Sequence, residues 1–346
     1  MRHIGCASVV VYWALFAGTA MAETHGEIQA VDASGNATHP KVIRPGVPWD
    51  PSLQVVLEGV VVVGPAEFVD TASEMLIAFQ GEGSDHAGTQ IWTGAFFQDW
   101  PEPYDAYFGL LPGDRIRVTG YAAQYIGKTN INEQHSDDPA RDFVIELIGQ
   151  PGMPVPEIVP SVAVAKTFDQ TRATGGEFYQ SRWVRMNNLA ITTPGTWQAG
   201  EQVTVTDGTG SMPMMLAAVG DFDSYSPPAG AFDVVALFDQ EPLPLDFAAS
   251  RTEHYRLWVK RTEHILPPGG PFPLVVRADF DHDGDVDMAD FGHLQRCMAG
   301  QSTIQLDPAC FDARLDADGD VDADDLAIFR NCFSGPNVPA SSQCAP

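Results

Sequence analysis

Residues 53–63 read LQVVLEGVVVV. The run is β-branched and apolar, and it is interrupted once, at Gly59. That is the composition of a long strand that bends at its glycine. Shorter apolar or alternating runs follow at Met75 to Phe79, Gln90 to Trp92, Arg115 to Tyr121 and Phe143 to Leu147, with Gly, Asp and Pro between them. Pro112-Gly113-Asp114 is a turn, and Arg115-Ile116-Arg117-Val118-Thr119-Gly120 alternates with period two, as a half-buried strand does. Five strands without a strong helical pattern predict a small barrel or sandwich over residues 51–155.

The order recurs from Trp183 to Leu266. Trp183 to Ile191 is the long first strand, and Val203 to Thr206 runs into the turn signal Asp207-Gly208-Thr209-Gly210. Met212 to Leu216, Phe232 to Phe238 and Tyr255 to Lys260 complete the set. A second β-domain is therefore expected over 156–267. The two segments resemble tandem OB-fold domains of secreted bacterial proteins, on Val55 to Val63, Gly113 to Tyr121, Tyr125 to Asn132, Gln202 to Gly208 and Phe232 to Gln240. The resemblance implies Greek-key barrels with a face that holds oligonucleotides or oligosaccharides.

Charge chooses between those ligands. A formal net charge of −27 makes nucleic-acid binding unlikely, because that function gathers Lys and Arg to release counterions. It leaves a saccharide, or no ligand. At the start of the chain, Arg2, the uncharged run Ile4 to Ala17 and the small-x-small site Ala20-Met21-Ala22 predict a signal peptide over 1–22 and hence secretion. No later run is apolar for the ~18 residues that a membrane helix needs. Residues 23–50 are polar, with Gly, Asn and Pro, and are expected to form a loose lead-in.

The strongest chemical signal follows a Pro/Gly linker at 268–276. From Asp279 the chain reads DFDHDGDVDMAD, which places Asp279, Asp281 and Asp283 at positions 1, 3 and 5 of a twelve-residue loop. Gly284 is at 6, Asp285 at 7, Asp287 at 9 and Asp290 at 12. Calcium takes about six to eight hard oxygen ligands, and alternating carboxylates around a sharp glycine turn supply them. So many carboxylates repel one another unless a cation is bound. Thirty-five residues on, from 279 to 314, the pattern returns as Asp316, Asp318, Gly319, Asp320, Asp322 and Asp325 at positions 3, 5, 6, 7, 9 and 12. Position 1 is now Arg314, so one strong calcium site and a second that is weaker or empty are expected.

Each loop runs into a helical pattern: Met288, Phe291, Leu294 and Cys297, then Leu326, Phe329 and Cys332. Paired calcium loop–helix units, each without a helix before its loop, resemble type I dockerins over residues 277–346. The family commonly closes the loop with Asp, as Asp290 and Asp325 do. The resemblance implies an attachment module and a cohesin-like or cell-surface partner. Met288-Ala289 and Ala323-Asp324 depart from the Ser or Thr by which dockerins often meet cohesins. Cys297, Cys310, Cys332 and Cys344 are an even set confined to this module, as disulfides in an oxidising compartment would be. One bridge per repeat, Cys297–Cys310 and Cys332–Cys344, is the simplest of three connectivities.

Nothing in the sequence reads as catalytic. Ser84-Asp85-His86 is a polar loop, and His254 and His264 close two copies of Arg-Thr-Glu-His at opposite ends of one strand. Trp92, Trp100, Tyr104 and Tyr107 suit core packing better than sugar stacking. A non-catalytic secreted calcium-binding protein is the first expectation. The alternatives are an accessory component of extracellular polysaccharide degradation and an OB-fold nucleic-acid binder.

Overall fold

The computed structural model describes residues 22–346 apart from 66, 70–74, 94–108, 134–135, 137, 194–195, 272–275, 282, 306, 317, 342–343 and 345–346. The expected signal peptide thus lies, except for Ala22, outside the described residues, as do Trp100, Tyr104 and Tyr107. The chain is mainly β. Its first sheet contains β1 (Val55–Val63), β2 (Met75–Gln80), β3 (Gly88–Thr93), β4 (Arg115–Gly120), β5 (Ala122–Tyr125), β6 (Lys128–Ile131) and β7 (Val144–Gly149), in the order β5-β6-β3-β2-β1-β4-β7. All neighbours are antiparallel except β3 and β6.

β1 explains its own sequence. Up to Glu58 only Val55 and Leu57 are fully buried, whereas every residue from Gly59 to Val63 is. Val55, Leu57 and Val61 pack with Ile77, Phe79, Ile91, Ile116 and Val118, while Val62 and Val63 join the core of the following β-segment. An unbroken valine run is what a strand covered on both faces requires. Gly59 is needed where the chains approach most closely, since a Cβ there would lie 2.5 Å from the Gln80 carbonyl oxygen and 2.8 Å from His25 Nε2. β4 alternates as expected, with Ile116 and Val118 inward and Arg117 outward, 2.8 Å from Glu58.

The second segment adds β8 (Glu157–Ile158), β9 (Trp183–Thr193), β10 (Gln202–Thr206), β11 (Ser211–Leu216), β12 (Phe232–Gln240), β13 (Tyr255–Val259) and β14 (Ile265–Leu266). β9-β10-β11-β13-β12 closes on itself because β12 also pairs with β9, giving a five-stranded barrel around Val184, Met212, Met214, Ala236, Phe238 and Leu257. Within this ring only β11 and β13 run parallel. Asp207 and Gly208 turn β10 into β11 as the sequence indicates, with Gly208 at φ +88°.

The sheet and the barrel meet in a buried seam. Asp239 of β12 is fully buried and accepts from Lys128 Nζ at 2.5 Å, Arg256 Nε at 2.7 Å and Gln90 Nε2 at 2.8 Å. Burial alone would raise its pKa, but the two cations hold the carboxyl well below the usual range. Nearby, Glu177 accepts from the Tyr255 hydroxyl at 2.7 Å and lies 3.7 Å from Arg172. Burial still pushes Glu177 up to about 7.

Residues 23–50 are packed, contrary to the loose lead-in expected. His25, Ile28 and Val42 are fully buried. Asp85 accepts from the backbone amides of His25 and Gly26 at 2.7 and 2.8 Å, and His25 Nδ1 lies 2.8 Å from Thr89 Oγ1. Partners some sixty residues distant satisfy the polar groups that made the segment look solvated. Asp85 is thereby a structural carboxylate, and its neighbour His86 stacks on Phe178. His264 is buried edge-on against Trp183, and Trp92 packs against the barrel core. Among the described residues, no helix is long and apolar enough to cross a membrane.

Two outcomes follow. Asp239→Ala strands Lys128 and Arg256 without their shared partner, and urea unfolding should show a loss of about 3–5 kcal/mol. Glu177 holds its proton more tightly when folded than its ordinary 4.5, so its contribution is full below pH 4.5 and is lost as pH rises through about 7. The stability difference between the native chain and Glu177→Gln, followed by urea midpoints, should therefore shift in favour of the variant across that window.

Candidate metal centre

The C-terminal unit has its own small core, built on Val286, Leu294, Val321, Phe329 and Ala313. Two ten-residue helices, Met288–Cys297 and Ala323–Cys332, follow the two acidic loops. Each begins in the same way. Asp287 caps the first by accepting from Ala289 N at 2.7 Å, while Asp290 reaches back to Asp287 N at 2.8 Å. Asp322 and Asp325 repeat this reciprocal cap on the second, with 2.7 Å to Asp324 N and 2.8 Å to Asp322 N.

The last carboxylate of each loop also closes the ring. Asp290 Oδ1 accepts from Phe280 N at 2.7 Å and Asp281 N at 3.3 Å, and Asp325 Oδ1 accepts from Leu315 N at 2.6 Å and Asp316 N at 3.2 Å. In the first loop Asp279 draws the turn inward through Asp283 N at 3.2 Å and Gly284 N at 3.0 Å. Gly284 stands at φ +95°, where a side chain would be strained.

These bonds assemble three groups of carboxylates whose oxygens lie within 4.8 Å of one another: Asp279, Asp281 and Asp290; Asp285, Asp287 and Asp290; and Asp320, Asp322 and Asp325. Asp283, Asp316 and Asp318 fall outside them and instead accept from the backbone amide two residues on. Burial raises the carboxyl pKa at Asp281 and Asp316, and takes Asp325 to about 6. In the second loop Arg314 stands buried at position 1 and donates to the Gln305 carbonyl.

The two repeats are interlocked about an offset of 35 residues. The Val286 carbonyl accepts from Ser334 N and Gly335 N at 2.9 and 3.0 Å, and the Val321 carbonyl accepts from Ala299 N and Gly300 N at 2.9 and 3.2 Å. Asn337 N donates to Asp285 Oδ2, and Ser302 N donates to Asp320 Oδ2. Ala340 N reaches Gly284 O at 3.0 Å, and Gln305 N reaches Gly319 O at 2.9 Å. Each loop therefore holds the turn by which the other repeat leaves its helix. Sequence reading missed this role of Asp285 and Asp320; the recurring Gly300 and Gly335, at φ +90° and +88°, were its visible trace.

A divalent cation fits this cradle on a local observation. Asp285 and Asp320 are only 6% and 7% exposed, and the Oδ1 of each is buried with no hydrogen-bond partner. An orphaned carboxylate oxygen among other carboxylates is costly until a cation meets it. Cys297 and Cys310 are joined in a disulfide, whereas Cys332 and Cys344 are buried thiols in contact with each other.

No family model matches the chain, and no curated protein matches it in sequence. Among solved structures, a murine DNA binding protein bound with double-stranded DNA aligns over 59% of this chain and 90% of its own, at 11% identity and a TM-score of 0.29. That overlap is too slight to carry an argument about function.

Because Asp290 stitches three amides, Asp290→Ala should loosen the first loop even without metal. Hydrogen exchange at the Phe280, Asp281 and Asp287 amides should quicken, and the unit should lose roughly 2 kcal/mol.

Proposed function

We propose that this chain is a secreted, non-catalytic calcium-binding protein in which residues 277–346 form a dockerin-like attachment module. The observation that carries the reading is the convergence of Asp279, Asp281 and Asp290, from positions 1, 3 and 12 of the loop, within 4.8 Å. Hard carboxylate oxygens on a tight glycine turn suit calcium, and water completes the shell. The disulfide at Cys297–Cys310 suits an oxidising compartment.

Attachment is supported by what the module leaves uncovered. Met288, Met298, Ile304, Phe333 and Val338 are all large, apolar and exposed. Met288 stands at loop position 10, on the helix turn where dockerins meet their partners. A cohesin-like or cell-surface protein with an apolar face is the partner this surface fits.

The β-segments are read as two OB-like barrels. In the second, the ring β9-β10-β11-β13-β12, antiparallel except for β11 and β13, is a five-stranded Greek-key closure. In the first, β1-β2-β3-β6-β5 has the parallel pair at β3 and β6, and β5 leads back through Tyr121 to β4, which pairs with β1. The net charge of −27 favours an uncharged saccharide over nucleic acid as ligand.

Calorimetric titration of the metal-stripped chain with calcium chloride should show a strong event that Asp279→Ala abolishes. Absence of any calcium binding by the native chain would overturn the reading.

A further inference from the structure

A single short turn joins the first acidic loop to the β-part of the molecule. Asp279 N donates to the Val276 carbonyl at 3.0 Å, and Arg277 is the second residue of the turn so closed. Val276 and Ala278 are buried in the core of the C-terminal unit. Arg277 instead leaves that unit, and its guanidinium donates to Asp114 Oδ1 in the turn that opens β4. The two side chains are only 5% and 1% exposed. A guanidinium so deeply buried is tolerated only where a carboxylate meets it.

The receiving end is fixed from several sides. Asp114 Oδ2 accepts from Leu111 N at 2.7 Å, and Gln150 Nε2 donates to Oδ1 at 3.3 Å. The Asp114 carbonyl accepts from Val61 N at 2.7 Å, Gly113 N donates to Val61 O at 2.8 Å, and Gly152 N donates to Gly113 O at 3.1 Å. Asp114 is thus tied to β1 and to the segment that leaves β7, so a group bound to it is bound to the sheet.

We infer that the Arg277–Asp114 pair seats the C-terminal unit on the first sheet, and that a cation in the first loop tightens this seating. Asp279 belongs to both arrangements. Its amide closes the turn that carries Arg277, and its carboxylate stands in the group with Asp281 and Asp290. A seated Arg277 has already ordered this turn, so a cation that needs Asp279 in place binds with less ordering to supply. By reciprocity the cation favours seating by the same factor. The linkage rests on the calcium reading of the loop, whereas the seating does not. The attachment surface is then carried by the β-part as one body rather than on a free tether. Charge alone would act differently: the Arg277 cation by itself opposes an incoming divalent ion, and Asp114 cancels that opposition.

Amide NMR relaxation of the calcium-free full chain should give Leu294 and Phe329 the same tumbling time as Ile116 and Val118. Asp114→Asn keeps an oxygen for the Leu111 amide, and it should let the C-terminal amides tumble faster than those of the sheet. Arg277→Gln should do the same while leaving every bond within the sheet intact, so the outcome does not hang on one variant folding. In calorimetric titration with calcium chloride, both variants should bind about fivefold or more weakly than the native chain. Tumbling still shared in both variants would overturn the seating. Unchanged calcium affinity in both, or an Arg277→Gln variant that binds calcium more tightly, would overturn the linkage, the latter because the pair then acts through charge alone. No calcium binding by the native chain would remove the reading of the loop and the linkage with it, while the tumbling times would still decide the seating.

Discussion

Val60 to Val63 can be buried in succession only if apolar groups lie on both sides of β1. That constraint shapes the β-part of the molecule. One side of the first sheet closes over Ile77, Phe79, Ile91 and Ile116, and the other contributes Val62, Val63, Leu76 and Ala78 to the barrel core. The seam created between sheet and barrel is buried, so its polar groups call for hydrogen-bond partners. Gln80 Oε1 accepts from Trp183 N at 2.9 Å, and Lys260 Nζ meets Glu67 at 2.8 Å. Asp239 takes three donors at once. Ions in such a place contribute geometry more than net stability, because desolvation cancels much of their attraction. They define which strand ends can face each other.

The C-terminal unit is organised by a different constraint. Ten-residue helices are too short to persist alone, and their shared core is small. Long-range backbone pairing across the 35-residue offset substitutes for bulk, and the disulfide at Cys297–Cys310 restrains the exit from the first helix. Carboxylates do much of the stitching. A charged oxygen accepts several amides at once, which favours Asp over a neutral residue at positions 1, 7, 9 and 12 even before a metal is considered. The same crowding raises the electrostatic cost of the loop, so the carboxylates that stitch the scaffold are also those proposed as cation ligands.

Local pattern revealed those elements whose partners are local. Arg115 to Gly120 alternates because one face of β4 is buried, and Asp207-Gly208 supplies the turn conformation that its hairpin needs. The hairpin of β5 and β6 was not delimited as a pair of strands because its turn is Ile126-Gly127, with Ile126 at φ +55°, a conformation a β-branched residue seldom adopts. Residues 23–50 look solvated because the groups that satisfy them, Asp85, Thr89 and Thr129, are remote in sequence. In the acidic loops, spacing named the ligand candidates but not their division of labour. Asp281 and Asp283 read alike, and each accepts from the amide two residues on, yet only Asp281 is brought to the first carboxylate group.

That division also explains how the second loop accommodates Arg314. In the first loop Asp279 accepts from the Asp283 and Gly284 amides, within its own ring. Asp320, by contrast, secures Ser302 of the other repeat, just as Asp285 secures Asn337. Exchanging the residue at position 1 therefore alters one loop, whereas removing the carboxylate at position 7 opens a turn in each direction of the interlock. With Arg314 donating to Gln305, the amide of which is bound to Gly319 O, even the substituted position is tied into the frame it might have disrupted. The two loops are consequently alike in the interlock and unequal in their carboxylate groups, since Asp279 and Asp281 of the first have no grouped counterpart among the described residues of the second.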